Sequence, residues 1–240
     1  FGEDAIILPN GSIRTGSYMK GAVSNWPLYD DGTWWVQDIS STLPAIALTN
    51  ELGRKNGDGV HDVSQMQVVD MCAAPGGKTA QLISAGFKHV TAVEANARRC
   101  RRLTENLNRL GFSEDKCTVI VSECEKWDGL MIEEDKSDNM IAGILVDVPC
   151  SATGTGSRRP DVLRRSSDLG DLLMTQESIA NHCADNLLPK GSIMIYATCS
   201  LLKKESEDQV HKLLARGKNN IDNNPDEGGS SAVAAMLETV

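Results

Sequence analysis

Between residues 67 and 196 the chain alternates short aliphatic runs with longer stretches whose apolar positions recur every three or four residues. The short runs at 67–70, 90–93, 118–121, 141–146 and 192–196 are rich in β-branched residues, which is a strand signal. Helical spacing predicts helices over 41–52, 79–85, 97–110 and 168–188, the first opened by Asp38 or Ser40 as N-cap. Strands separated by helices of this length make βαβ units and a parallel sheet. The expected fold is α/β, a doubly wound and mostly parallel sheet, with strand order 3-2-1-4-5 counted from the 67–70 strand.

Outside that core the pattern fades. Residues 1–30 are glycine-rich and show no period, as expected of a lead-in segment or the remnant of an N-terminal RNA-binding domain. Residues 53–65 form a polar loop. From Arg216 onward the run NNIDNNPDEGGSS carries too many Asn, Asp, Gly and Pro residues to build a core, so 216–240 is expected to be a flexible tail or surface loop. The catalytic unit is therefore assigned to 31–215.

Composition removes several classes of function. Of 240 residues, 40% are hydrophobic, but no apolar run approaches the roughly 18 residues of a membrane span. Seven cysteines, an odd number without a C-x-x-C pair, argue against a disulfide framework and against a zinc site. Free thiols, no metal and a reducing intracellular compartment are expected, with cytoplasm, nucleolus and organelle not distinguished. The chain starts at Phe1, so a targeting segment is not judged. A monomer is favoured. The net charge of −9 opposes nucleic-acid binding, yet the charge is unevenly spread. Residues 86–112 hold six basic and two acidic residues and 150–166 hold four and one, whereas 113–147 hold three and ten. Taken alone, Arg98, Arg99, Arg101, Arg102 and Arg109 read as the solvated face of a helix.

The 67–70 strand leads into Cys72, Ala73, Ala74, Pro75, Gly76, Gly77, Lys78 and Thr79, small residues that let a ligand approach the backbone where a helix begins. Two readings compete. A phosphate-binding loop of an NTPase uses Gly77, Lys78 and Thr79, with Asp147 at a strand end as its magnesium ligand, but has Cys72 where the first glycine belongs. An adenosine cofactor instead requires an acidic residue at the next strand end to accept the ribose hydroxyls. Glu94 stands there, 18 residues after Gly76, close to the roughly 20 of a nucleoside-binding βαβ unit. Glu94 could alternatively cap the helix beginning near Ala97. The loop and the acidic residue together favour the cofactor.

The fourth and fifth strands end in Asp147-Val148-Pro149-Cys150 and Ala197-Thr198-Cys199-Ser200. In the expected strand order these ends are neighbours, and both thiols face the cofactor crevice. A single cysteine reads first as a small buried hydrophobe, and Cys100, Cys117, Cys124 and Cys183 are taken that way. Two thiols beside a methyl-donating nucleoside suit the methylation of cytosine at carbon 5. A thiolate added at carbon 6 makes carbon 5 nucleophilic, and the adduct then needs a base and an acid to release it.

The segments DMCAAPGGKT, ILVDVPCSATG and IYATCSLLKKESEDQV, with VQDISS and ENLNRLGF, closely resemble the RsmB/Sun (NOP/NSUN-type) family of RNA cytosine-5 methyltransferases. The resemblance covers about residues 31–212. It implies the class I methyltransferase fold, S-adenosyl-L-methionine as cofactor and RNA as partner, ribosomal RNA first and transfer RNA second. It implies Cys199 as nucleophile, Cys150 as the residue that resolves the adduct, and Cys72 to Lys78 as the site for the methionine moiety. Glu94 is implied for ribose, and Asp147 for the cytosine amino edge beside the cofactor. Lys78 is implied in orienting the base or the cofactor carboxylate, and Glu123, in place of the usual Asp, for the adenine side. Arg158, Arg159, Arg164 and Arg165 are expected to meet RNA phosphates, which position a strand without reading its sequence. The target base must be unpaired or flipped out. The family's closing strands are not legible after Leu214. A non-catalytic RNA-binding or ribosome assembly factor with this fold is the remaining alternative.

Overall fold

The computed structural model describes residues 4–16, 19–54, 62–129, 141–164, 168–189, 191–223 and 232–237. Most of the polar loop expected at 53–65, Arg165 and much of the expected tail lie outside them. Two short strands, β1 (Ile6–Ile7) and β2 (Ile13–Arg14), pair antiparallel. Then follow α1 (Ile39–Gly53), β3 (Gln67–Met71), α2 (Gly77–Ser84), β4 (His89–Glu94), α3 (Ala97–Arg109), β5 (Cys117–Val121), β6 (Ile141–Asp147), α4 (Leu169–His182), β7 (Ile193–Thr198), α5 (Glu207–Asn223) and β8 (Ala232–Leu237). Six strands form one sheet in the order β5-β4-β3-β6-β7-β8, every pair parallel. Direction along the sheet reverses between β3 and β6, so the crevice for a ligand opens at their carboxyl ends.

Alternation along the strands divides the core. Val68, Leu145 and Ile195 point to the face covered by α1, α2 and α3, with Leu48, Leu82 and Leu103 packed on them. Val69, Ile144, Val146, Met194 and Tyr196 point to the other face, against Ile179 of α4 and Val210 and Leu213 of α5. Both faces are covered, which explains the unbroken apolar runs in the sequence.

Helix starts follow local chemistry. The Asp38 side chain accepts from the Ser40 N–H at the start of α1, and that of Asp168 accepts from the Gly170 N–H at the start of α4. The 168–188 helix stops being α-helical at His182 and continues as a π-turn, Cys183–Leu187.

Two expectations are corrected. The 216–240 segment is not irregular throughout: α5 runs to Asn223, and Ala232–Leu237 pairs with β7 from Ile193 to Thr198. The apolar run AVAAML supplies a strand that hydrogen-bonds the outer edge of β7, and the Asn- and Gly-rich residues before it masked this in the average composition. Second, the arginines of α3 are not all solvent decoration. The Arg109 guanidinium donates to the carbonyls of Tyr29 (2.7 Å) and Trp34 (3.1 Å) and stacks 4.0 Å over the Tyr29 ring. Trp34 packs against both Tyr29 and Trp26, so residues 26–35 are fastened to α3. Arg98, Arg101 and Arg102 are exposed as expected.

Gly32 turns in this fastening with φ +68°, and a Cβ there would lie 1.9 Å from the Arg109 carbonyl oxygen. Gly32→Ala is expected to lower stability by roughly 1–3 kcal/mol. It is also expected to shift tryptophan emission to the red, as Arg109→Ala should. Denaturant unfolding and fluorescence check this, and an unchanged spectrum with unchanged stability counts against the fastening.

Candidate active site

The loop after β3 is shaped by its small residues. Gly76 takes φ +101°, a left-handed conformation that a side chain would strain, and α2 starts at Gly77 with no side chain capping it. The first-turn N–H groups therefore face the crevice available to an acceptor-rich ligand. Two side chains of α3 hold the loop from behind: Arg99 donates to the Ala74 carbonyl (2.7 Å) and Asn106 to that of Pro75 (2.8 Å).

Arg99 also pairs with Glu94 at the end of β4, so one side chain ties the glycine loop to the acidic residue expected for ribose. Glu94 is only 2% exposed. Its Oε1 accepts from the Asn96 N–H (3.0 Å) and from Arg99 (3.2 Å), while Oε2 lies 3.1 Å from Arg99 Nη1 as its ion-pair partner. Asn96, not Glu94, caps α3, accepting from the N–H groups of Arg98 and Arg99. The capping alternative for Glu94 is thereby removed. A buried carboxylate at a strand end, beside a glycine loop, fits the hydroxyls of a nucleoside.

Across the reversal point, Lys78 at the start of α2 reaches Asp147 at the end of β6, Nζ to Oδ2 3.0 Å. The Lys78 side chain is largely buried, so the pair is shielded better than a surface ion pair. Beneath it, Asp70 is fully buried, accepts from the Thr79 hydroxyl at 2.6 Å and leaves Oδ1 without a partner. Burial first, then the nearby charge of Asp147, raises its carboxyl to about 7, against the Thr79 hydrogen bond. Sequence patterning passed over Asp70 and Arg99, because a strand-end Asp and a helical Arg carry no signal until the loop folds over them.

The two strand-end cysteines meet. Cys150 Sγ and Cys199 Sγ are 3.4 Å apart, both half-buried. The hydrogen bond with Cys199 lowers the Cys150 thiol to about 7 against the effect of burial, helped by the Thr198 hydroxyl and by the backbone N–H groups of Ala152 and Cys199. The pair is best treated as two sulfurs sharing one proton near neutrality. Cys100, Cys117, Cys124 and Cys183 are buried, as expected of small hydrophobes. Burial raises the thiols of Cys100, Cys117 and Cys183. Cys72 lies 3.5 Å from Cys124, and that hydrogen bond together with burial keeps its thiol protonated.

The remaining expected residues fall less neatly. Glu123 follows β5 but is exposed and pairs with Lys126 one turn on. Arg158 pairs with Asp38, and Arg159 lies 3.6 Å from Asp161. Arg164 is exposed. Among the described residues no group of three metal-binding side chains occurs, and no helix is long and apolar enough to cross a membrane.

A parallel sheet that reverses direction beside a glycine loop, an acidic residue at the next strand end and paired strand-end thiols defines a Rossmann-like methyltransferase architecture. The family described as 16S rRNA methyltransferase RsmB/F matches residues 61–232, and the chain belongs to that family. The ribosomal RNA small subunit methyltransferase B of Serratia proteamaculans is 37% identical over 198 residues, covering 81% of this chain and 41% of that protein. The protein of the same name from Yersinia enterocolitica is 38% identical over the same shares. The chain thus spans about two fifths of the length of these curated relatives. Among solved structures, NSun6 from Pyrococcus horikoshii with SFG superposes with TM-score 0.66 at 24% identity, over 82% of this chain and 46% of that one. A methyltransferase homologue from the same organism gives TM-score 0.60 at 26% identity, over 81% and 55%. The phosphate-loop reading gives way to this membership, and Lys78 is engaged with Asp147 in place of a phosphate.

The shared proton has a measurable consequence. Alkylation of Cys150 by iodoacetamide is expected to rise through a midpoint near pH 7, since a lowered thiol is nucleophilic only above its titration. Cys199→Ala removes the principal hydrogen bond and should move that midpoint upward. Peptide mapping across pH 5.5–9 reads both, and identical midpoints would rule out the coupling.

Proposed function

We propose that this chain is the catalytic part of an enzyme that transfers a methyl group from S-adenosyl-L-methionine to carbon 5 of cytosine in ribosomal RNA. The reading is carried by the 3.4 Å approach of Cys150 and Cys199 at the ends of adjacent strands beside the glycine loop. S-adenosyl-L-methionine, when bound, supplies an electrophilic methyl group. Cys72 to Lys78 would hold its methionine end and Glu94 its ribose.

The chain's own groups divide the remaining work. Cys199, as thiolate, bonds to carbon 6 of an extruded cytosine, and carbon 5 gains the nucleophilicity it lacks in the free base. Asp147, fixed by Lys78, accepts from the exocyclic amino group of the base and sets its orientation. After transfer, the electron pair of the carbon 5–hydrogen bond re-forms the ring double bond and expels Cys199, the proton leaving to a base. Cys150, which titrates near neutrality beside the departing sulfur, is assigned to this release. Arg158, Arg159 and Arg164 are assigned to the RNA backbone, and the enzyme to a reducing intracellular compartment.

Two variants separate the roles. Cys199→Ala is expected to reduce methyl transfer to small-subunit ribosomal RNA by on the order of 10³-fold or more. Cys150→Ala should instead accumulate a protein–RNA adduct that survives denaturing electrophoresis. Bisulfite sequencing of RNA from cells with and without the protein reports activity and address together. Full transfer by Cys199→Ala would overturn the nucleophile, and wild-type protein with no transfer on any unmodified ribosomal RNA would favour an assembly factor.

A further inference from the structure

Below the cysteine pair lies a second carboxylate for which the chemistry above has no use. Glu205 ends a short 3-10 turn, Lys203–Glu205, between β7 and α5, and is fully buried. Its Oε1 accepts from the Ser151 N–H at 2.8 Å and from Gln176 Nε2 at 2.9 Å. Its Oε2 accepts from the hydroxyls of Ser151 and Ser200, both at 2.5 Å. Gln176 also donates to the Pro149 carbonyl at 2.9 Å. Ser151 follows Cys150 and Ser200 follows Cys199, so a chain neighbour of each sulfur bonds to one carboxylate, and Pro149, which precedes Cys150, is joined to it through Gln176.

All four donors are neutral. A buried carboxylate balanced by neutral donors is a costly way to stabilise a fold, since apolar packing of equal volume does as well or better. What it supplies instead is direction, because a carboxylate accepts several hydrogen bonds along fixed lone-pair directions. Burial by itself would raise the Glu205 carboxyl, but the hydrogen bonds from Ser151, Ser200 and Gln176 outweigh it and hold the group ionised. The Tyr196 hydroxyl, itself buried, donates to the Glu205 backbone carbonyl at 2.9 Å and anchors the turn to β7. With both serine hydroxyls donating to the carboxylate, their oxygens lie 3.1 Å apart, and the Thr153 hydroxyl donates to Ser200 Oγ at 3.2 Å.

We propose that Glu205 is a positioning residue that clamps the loop after β6 to the loop after β7 and so sets the separation of Cys150 and Cys199. This rests on the methyltransfer reading for its effect on rate, but not for its effect on the sulfurs. The carboxylate of Glu205 bonds the chain neighbours of the two thiols. It acts through Ser151 and Ser200, and its removal leaves four donors facing an empty site while the two loops lose their common anchor. In Glu205→Gln, the amide oxygen can keep the Ser151 N–H and Gln176 donors, and the two serine hydroxyls can rotate to accept from the amide nitrogen.

The test uses the full protein and two readouts. In the first, kcat and KM are measured on small-subunit ribosomal RNA. Glu205→Ala is expected to lower kcat about 100-fold, the cost of an ångström-scale misplacement of reacting groups, with KM for S-adenosyl-L-methionine within about twofold of wild type. Glu205→Gln should recover kcat to within about tenfold of wild type. The second readout needs no catalysis: phenylarsine oxide bridges two thiols held a few ångströms apart, and mass spectrometry locates the bridge. Wild type should form the Cys150–Cys199 bridge readily, Glu205→Ala at least about tenfold more slowly, and Glu205→Gln nearly as fast as wild type. Should Glu205→Ala fail to fold, the single variants Ser151→Ala and Ser200→Ala each remove hydrogen bonds from one loop and should slow bridging in the same direction. Bridging at the wild-type rate in these folded variants overturns the clamp. Wild type that bridges normally but transfers no methyl group overturns the cytosine reading and leaves the clamp standing.

Discussion

Because β6 and β7 run parallel with Asp147 opposite Ala197, the two chains leave the sheet at the same height. Three residues beyond Asp147 and two beyond Ala197 they carry their sulfurs. The hydrogen bond from the Val148 N–H to the Ala197 carbonyl extends the pairing one step past β6. A slip of one residue would turn Ile144, Leu145, Met194 and Ile195 to the wrong faces, so the core that holds the sheet together also holds the thiols in register. The placement of the two thiols is a by-product of hydrophobic alternation, refined by polar contacts above the strands.

Those polar contacts form a connected layer along the carboxyl edge of the sheet. Arg99 links the glycine loop to Glu94, Lys78 links α2 to Asp147, and Glu205 links the loops that bear the thiols. The Lys78–Asp147 pair spans the reversal of strand order between β3 and β6, and the other two links join neighbouring strand ends on either side of it. Burying so many charged groups is unfavourable for stability taken singly, and their concentration at one edge marks that edge as the place where stability yields to chemistry.

The N-terminal residues are held by a different means. Arg109 stacks on Tyr29 and donates to two carbonyls, while Trp26 and Trp34 cover the turn at Gly32. This fastening meets α3, the same helix whose Arg99 and Asn106 hold the glycine loop from behind. One helix therefore carries the glycine loop on Arg99 and Asn106 and the N-terminal segment on Arg109.

Strand positions, their parallel order, the glycine loop, Glu94 and both cysteines were legible in the amino-acid sequence, because each depends on local periodicity or on small residues next to a strand end. The strand at Ala232–Leu237 was hidden, since its pairing partner is distant in the chain and its surroundings are polar. The meaning of Arg99, Arg109, Asp70 and Glu205 was hidden for a related reason. A charged residue on a helix or at a turn looks the same in sequence whether water or a folded loop satisfies it, and only the closing of the sheet decides which. Side-chain periodicity thus determined which backbone would form and which edge would carry the chemistry. Tertiary packing alone decided which polar groups were withdrawn from water there, and so which could hold two sulfurs 3.4 Å apart.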